Sequence, residues 1–280
     1  MKGAKLHGSP LIHAPSKRLG QNFLTDKNVI QRLITSLQPT SAETIIEIGA
    51  GKGALTLELV QKAGRVIAVE FDRNLVPFLH ESLSGYPNFT LIEGDALRTD
   101  FCAEMQPATQ ARLVANLPYN ISTAILQRLI EQRSCFTQMI LMLQREVVER
   151  ITAPPGSSDR GYLSVLVEAY CESEKLFDVS PGSFRPVPKV WSSVVRLVVR
   201  PQLGIEVKNE ALLWAIVSAG FAQRRKTIFN NLRSARDHLA EIIKRHGGAS
   251  IVLCQAGIDL QRRAETLSLA EWGQIAQVLE

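Results

Sequence analysis

The chain is poor in the residues on which several kinds of site are built. Its four cysteines, Cys102, Cys135, Cys171 and Cys254, are scattered with no C-x-x-C pair. That indicates neither a zinc site nor a disulfide framework and predicts buried thiols. Five histidines (His7, His13, His80, His238 and His246) fall in no metal or triad spacing, so no chemistry is placed on them. No apolar run approaches the roughly 20 residues that cross a bilayer. The first 20 residues carry Lys2, Lys5, Lys17 and Arg18 without the apolar centre and cleavage site of a secretory signal. A cytoplasmic protein with no membrane partner is the expectation.

What is present is ordinary in amount: 45% hydrophobic and 21% charged residues over 280 positions. These proportions exclude disorder, collagen and coiled coil. The length suits one large domain, or one with a smaller companion. Charge placement says more than the net of +5. Residues 182–233 hold nine bases (Arg185, Lys189, Arg196, Arg200, Lys208, Arg224, Arg225, Lys226 and Arg233) against Glu206 and Glu210, which leaves the rest of the chain at −2. Such concentration fits a surface facing a polyanion, because each phosphate neutralised releases counterions. A merely solvated basic face fits equally well, so a chemical site nearby must decide.

Short apolar, β-branched runs recur at 44–49, 65–70, 89–94, 112–116 and 138–143. They read as buried parallel strands. Helical patterns at 54–63, 74–83 and 123–131 lie between them; in the last, Ile125, Leu126, Leu129 and Ile130 share a face. This alternation predicts a doubly wound, Rossmann-like α/β sheet. Residues 152–161 have the composition of an exposed flexible loop, 162–170 reads as helix, and 190–199 as a strand. Two late strands joined around Ser180-Pro-Gly182 would close the sheet with an antiparallel edge. From about Glu210 only helical patterns remain, which predicts domains at 1–204 and 205–280, the second small and all-helical.

The first strand runs through Glu47 into Gly49-Ala-Gly51-Lys-Gly53 and directly into a helix. Glycines there sit at the carboxyl edge of the sheet, where open α/β folds bind ligands, and a missing side chain lets a ligand approach the backbone. By itself a glycine turn specifies no ligand. Glu70 closes the second strand about 20 residues on, where an acid accepts both hydroxyls of a ribose. Asp95 follows the third strand in Gly94-Asp95-Ala96, placed for an adenine amino group. Each acid also fits a structural cap. The third glycine comes one residue early for the dinucleotide pattern G-x-G-x-x-G, whose pyrophosphate needs a helix N-terminus. With the acidic Glu47, this favours S-adenosylmethionine, which carries a positive sulfonium and no phosphate.

The fourth strand ends in Asn116-Leu117-Pro118-Tyr119, the most specific feature of the chain. Pro118 forces Leu117 into an extended or turn conformation, so the Leu117 carbonyl is not consumed by a helix. That carbonyl and the Asn116 side-chain oxygen would accept both hydrogens of an exocyclic amine while the Tyr119 ring stacks on its base. The amine lone pair is conjugated into the purine, and two hydrogen bonds steer it toward a cofactor methyl. Orientation and electrostatics then do the catalysis without a general base.

Five segments occur in order: Leu19-Gly-Gln-Asn-Phe-Leu24, Glu47-Ile-Gly-Ala-Gly51, Asn116-Leu-Pro-Tyr119, Phe184-Arg-Pro-Val-Pro-Lys-Val190 and Phe221-Ala-Gln-Arg-Arg-Lys-Thr227. Together they resemble the ribosomal RNA adenine dimethyltransferase family over nearly the whole chain. The tail segment 221–227 is more similar to the bacterial small-subunit branch than to the large-subunit antibiotic-resistance methylases. The resemblance implies a class I methyltransferase fold and N6,N6-dimethylation of two adjacent adenosines in a 3′-terminal hairpin of 16S rRNA, with a role in small-subunit biogenesis. It further implies that Asn22 and Leu24 contact the methionine part of the cofactor, Gly49 and Gly51 its backbone side, Glu70 the ribose, and Asp95 and Ala96 the adenine. Asn116 would border cofactor and substrate, and Phe184 would sandwich the target base against Tyr119. Arg185, Lys189, Arg224, Arg225 and Lys226 are the expected RNA contacts, with 16S rRNA in the small subunit or its precursor as partner and the protein a monomer. Residues alone do not assign Asn22 or Leu24, since 21–23 also reads as a helix-entry loop before Asp26.

Two other classes compete. A noncatalytic RNA-binding or ribosome-assembly factor would have lost the amine-orienting residues, yet Asn116, Pro118 and Tyr119 are present. A nicotinamide oxidoreductase would show a pyrophosphate-type glycine pattern, and that pattern is missing.

Overall fold

A computed structural model describes residues 20–280; the basic residues before position 19, and Leu19 of the first motif, lie outside them. The β-branched runs form strands β2 (Thr44–Ile48), β3 (Arg65–Glu70), β4 (Phe89–Glu93), β5 (Ala111–Asn116) and β6 (Phe136–Gln144). Strands β7 (Cys171–Val179) and β9 (Ser192–Val199) complete one sheet ordered β4-β3-β2-β5-β6-β9-β7. The first five are parallel, and β9 runs antiparallel to both β6 and β7. This is the mostly parallel Rossmann-like sheet expected, with the reversed strand one place in from the edge. Polar residues of β7 (Glu172, Ser173, Glu174, Lys175) are exposed, as suits an edge strand protected against further pairing. A separate pair, β1 (Phe23–Leu24) with β8 (Phe184–Arg185), was not legible because two-residue strands carry no period.

Successive strand residues serve opposite faces. Ile45, Val66, Val114 and Ile140 pack under α1 (Lys27–Leu37), α2 (Thr56–Val60) and α3 (Val76–Leu83). Ile46, Ile67, Leu113 and Leu141 pack under α5 (Ser122–Glu131), α6 (Arg145–Ile151) and α7 (Tyr162–Tyr170). Asp26 caps α1 by accepting from Asn28 N–H (2.9 Å). The second hydrophobic cluster continues into the C-terminal helices α8 (Glu210–Gly220), α9 (Ile228–Arg233), α10 (Asp237–Arg245), α11 (Ala249–Gln255) and α12 (Leu269–Leu279). The linker is pinned to α7, with Arg200 N–H donating to Tyr170 and Gly204 N–H to Ala169, both at 2.8 Å. Among the described residues no helix is long and apolar enough to cross a membrane.

Two expectations are corrected. Cys102 and Cys135 are joined in a disulfide, their Cα atoms 5.3 Å apart, and Cys254 is exposed, so only Cys171 remains a buried free thiol. The pairing arises because α4 (Phe101–Glu104) folds against the single turn Arg133–Cys135, a contact that a separation of 33 residues conceals. The segment 152–161 is not wholly an exposed loop either. Arg160 is buried, donating to the Ala153 carbonyl (2.9 Å) and to the Glu168 carboxylate. A buried guanidinium must be paired, so this one anchors the segment.

Within the helical part, α8 meets α12 where Gly220 faces Trp272. A Cβ at Gly220 would lie 2.9 Å from Trp272 Cζ3 and 3.1 Å from Ile228 Cδ1. Gly220→Ala is therefore expected to destabilise the protein by about 1–3 kcal/mol through overpacking, read as a lowered midpoint in urea denaturation. An unchanged midpoint would show that the ring has room to retreat.

Candidate active site

The order of the sheet creates the site. From β2 the chain proceeds to β3 on one side, while β5 lies on the other. Ligands in open α/β folds bind at the carboxyl ends of such a switch point. A cavity of about 310 Å³ lies there, lined by the ends of β2, β3, β4 and β5 and by residues 20–23.

At the end of β2, Gly49, Gly51 and Gly53 have φ of +78°, +59° and +73°. These left-handed values suit glycine. A Cβ on Gly51 would press on the Phe23 ring at 3.1 Å. Gly49 N–H donates to the Val69 carbonyl (2.8 Å). At the end of β3, the Glu70 carboxylate accepts from Gly51 N–H through Oε2 and from Asp72 N–H through Oε1, both at 2.8 Å. Asp72 accepts from Gln21 Nε2 (2.7 Å), which ties residues 20–24 to the same corner. Past β4, Asp95 Oδ1 accepts from Leu97 N–H (3.0 Å) and turns Gly94-Asp95-Ala96 toward the cavity.

At the end of β5, Asn116 Nδ2 donates to the Asn22 carbonyl (3.1 Å). That bond settles which way the amide faces. Tyr119 Oη and Ser192 Oγ are hydrogen-bonded at 2.6 Å, which fixes the tyrosine ring. The Pro118 carbonyl accepts from Ile121 N–H and the Tyr119 carbonyl from the Ser122 hydroxyl. Among the described residues, Asn116 Oδ1 and the Leu117 carbonyl remain as acceptors without a donor, both on residues that line the cavity.

Ten sequence-predicted residues therefore share one cavity: Asn22, Gly49, Gly51, Glu70, Asp95, Ala96, Asn116, Leu117, Pro118 and Tyr119. Leu24 and Phe184 do not. They face each other in the β1–β8 pair, and Phe184 is fully buried under the sheet. The sandwich expected of Phe184 is thus not the arrangement seen, because antiparallel pairing draws both side chains into the core. Arg185, the second residue of β8, is exposed, as is Lys189 beyond that strand. Arg224, Arg225 and Lys226 are exposed on the turn between α8 and α9, where Arg224 also donates to the Ser158 carbonyl. Sequence reading missed Gly20, Asn120 and Phe71. A Cβ at Gly20 would strike Asn120 Oδ1 at 2.7 Å, so that glycine admits the asparagine. Phe71 lines the cavity yet is 57% exposed; its place directly after Glu70 was the available signal.

The cavity wall is acidic. Glu70 and Asp95 line it, and no lysine, arginine or histidine does so among the described residues. Behind it, Glu47 is buried with Oε2 unpaired. Burial, reinforced by the neighbouring Glu70 charge and opposed by the Thr56 hydroxyl, lifts its pKa from 4.5 to about 7. Burial also raises Glu70, opposed by the N–H groups of Asp72 and Gly51. Such a wall suits a cationic sulfonium or ammonium and opposes a pyrophosphate. Bare glycine backbone, a ribose-height acid and the missing basic side chain fit S-adenosylmethionine.

A model of the ribosomal RNA adenine dimethylase family matches residues 12–276. The chain belongs to this family. It is 43% identical to a ribosomal RNA small subunit methyltransferase A of Hahella chejuensis, over 96% of this chain and 94% of that one. A protein of the same description from Clostridium botulinum is 40% identical over 94% of each. Among solved structures, a Plasmodium falciparum dimethyladenosine transferase superposes with a TM-score of 0.76 at 24% identity, over 90% of this chain and 95% of that one. The 23S rRNA methyltransferase ErmE gives 0.68 at 25% identity, over 92% and 99%. Members of the family are methyltransferases, and the sheet described above is the methyltransferase form of the Rossmann-like fold.

The raised pKa of Glu47 carries a sign. Between about 4.5 and about 7 the folded protein keeps a proton that the unfolded chain has lost. Stability therefore falls as pH rises through that window and levels off above it, with a slope of at most about 1.4 kcal/mol per pH unit from this group. Glu47→Gln, neutral throughout, is expected to flatten the curve relative to wild type in urea denaturation between about pH 5 and 8. Parallel curves for the two proteins would place the Glu47 pKa in the ordinary carboxylate range.

Proposed function

We infer that this protein dimethylates N6 of two adjacent adenosines in the 3′-terminal hairpin loop of 16S rRNA, with S-adenosylmethionine as methyl donor. The observation that carries the reading is the pair of unengaged acceptors, Asn116 Oδ1 and the Leu117 carbonyl, at the rim of an acidic cavity without a basic side chain. Kinship to small-subunit relatives supports the 16S substrate, and the basic residues 185–233 support contact with its phosphates. In this reading the chain acts as a cytoplasmic monomer on the small subunit or its precursor. Its helices 205–280, with Arg224, Arg225 and Lys226, then serve as the RNA- and ribosome-binding part.

S-adenosylmethionine supplies a methyl group on a positively charged sulfur. Glu70 and Asp95 have lone pairs to spare for a ribose and an adenine. A flipped adenine rests on the ring of Tyr119, which Ser192 holds in place. Asn116 Oδ1 and the Leu117 carbonyl each accept one hydrogen of its amine, turning the nitrogen lone pair out of conjugation and toward the methyl carbon. As the N6–C bond forms and the S–C bond breaks, the same two oxygens stabilise the positive charge growing on N6. A proton then leaves N6 for water. The monomethylated amine offers one hydrogen, so a single acceptor holds it for the second transfer.

Isothermal titration is expected to give binding of S-adenosylmethionine and none of NAD; preference for NAD would overturn the reading. Asn116→Ala should keep cofactor affinity within about tenfold and lower methyl transfer at least about 100-fold, measured with radiolabelled donor on undermethylated small subunits followed by nucleoside analysis. Undiminished transfer would remove Asn116 from the mechanism, and transfer by neither protein would favour a noncatalytic assembly factor. Replacing Arg224, Arg225 and Lys226 with alanine should weaken RNA binding and lower its logarithmic salt slope by about one to three. An unchanged slope would make that cluster a solvated face.

A further inference from the structure

Seven large hydrophobic side chains are exposed among the described residues, and three of them, Val187, Val190 and Trp191, lie within five consecutive positions. Trp191 is 45% exposed, whereas Trp272 is fully buried and Trp214 donates its indole N–H to the Tyr170 hydroxyl at 2.9 Å. A solvent-facing indole beside other apolar side chains marks a contact surface. The backbone here is held in place. The Trp191 carbonyl accepts from Arg145 N–H (2.9 Å), and the Arg145 guanidinium stands 6.0 Å from the ring centre while reaching Glu149 at 3.7 Å.

The position of the ring matters more than its exposure. Ser192, the next residue, is the one that holds Tyr119, and it pairs with Gln144 at the carboxyl end of β6. Two places earlier on β6, Met142 pairs with Asn116. Trp191 thus stands beside the amine-holding corner and outside the cavity, whose lining does not include it. The exposed cations Arg185 and Lys189 precede it along the chain. An adenine turned out of its stack leaves the next base without a neighbour. A flat aromatic ring replaces that neighbour for any base, because every base has a π-face.

We propose that Trp191 is a stacking platform for the nucleotide adjoining the target adenosine, with Lys189 and Arg145 beside its phosphates. The proposal rests on the RNA-methylation reading above and extends it from the target base to its neighbour. It makes this contact indifferent to base identity and dependent on single-stranded RNA.

The test titrates the full-length protein with a hairpin RNA carrying two adjacent loop adenosines, using wild type, Trp191→Phe and Trp191→Ala. RNA should quench the wild-type tryptophan emission, and both variants should lose that quench. Affinity should fall about tenfold in Trp191→Ala and less than about threefold in Trp191→Phe. The salt slope of Trp191→Ala should match wild type, since stacking displaces no counterion, and its S-adenosylmethionine affinity and melting temperature should not move. On a hairpin with one loop adenosine and abasic neighbours, wild type and Trp191→Ala should bind alike. Full affinity of Trp191→Ala for the intact hairpin, absence of a wild-type quench, or an equal loss on the abasic RNA would each overturn the platform. Methyl transfer by wild type to undermethylated small subunits reports on the underlying reading separately: transfer without a platform effect defeats only this inference, and absence of transfer defeats the reading itself.

Discussion

A buried carboxylate joins two strand ends, and the site is organised around that join. Glu70 accepts from Gly51 N–H on the glycine turn and from Asp72 N–H on its own side, so the ends of β2 and β3 cannot drift apart. Hydrogen bonds to a charged group are each worth about 1.5–3 kcal/mol, and one of these two falls on Gly51, the middle of the three left-handed glycines. The linkage continues outward. Asp72 holds Gln21, the following Asn22 carbonyl holds the Asn116 amide, and Asn116 presents its oxygen at the cavity. The cofactor side and the amine side of the cavity are thereby parts of one hydrogen-bonded unit, which keeps their spacing fixed where a misplacement of about 1 Å is costly.

Charge sets this cavity apart from a dinucleotide site. Acids line the wall, a further acid sits buried behind it, and no basic side chain lines it among the described residues. In the same fold, dinucleotide sites rely on a helix N-terminus for a pyrophosphate. Here burial pushes both Glu47 and Glu70 toward protonation, with the Glu70 charge adding to the shift of Glu47 and the Asp72 charge to that of Glu70, a cost tolerated where a cation is to be received. The basic residues are instead spread over the outer surface, around 185–189 and 224–226, where a phosphate backbone can meet them without entering the cavity. The acids of the cavity and the basic residues at 185–189 and 224–226 therefore occupy separate parts of the molecule.

The sheet was legible because buried parallel strands leave an unmistakable trace. Continuous runs such as Ile45-Ile46 and Val66-Ile67-Ala68-Val69 must cover both faces, so every position is apolar, and the observed strand ends agree within about two residues. The acids and glycines of the cavity were legible for a related reason: each stands where such a run stops, and a stop at the carboxyl edge is where function sits. The β1–β8 pair left no trace, being two residues long and 160 positions apart in the chain. Its consequence was large, since it withdraws Leu24 and Phe184 from the cavity and buries them. Phe71 was overlooked for the opposite reason, as an apolar side chain just past a strand reads as core until its exposure is known.

Local covalent pattern by itself determined which segments are strands, which glycines turn, and which asparagine stands before a proline, because those choices depend on neighbours a few bonds away. Tertiary structure alone decided that Cys102 meets Cys135, that Arg160 is buried against Glu168, that Ser192 fixes Tyr119, and that Asn22 orients Asn116. Each of these joins groups 8 to 94 residues apart whose encounter depends on how layers pack. Packing answers to the shape of the whole core, and no short stretch of sequence contains that shape.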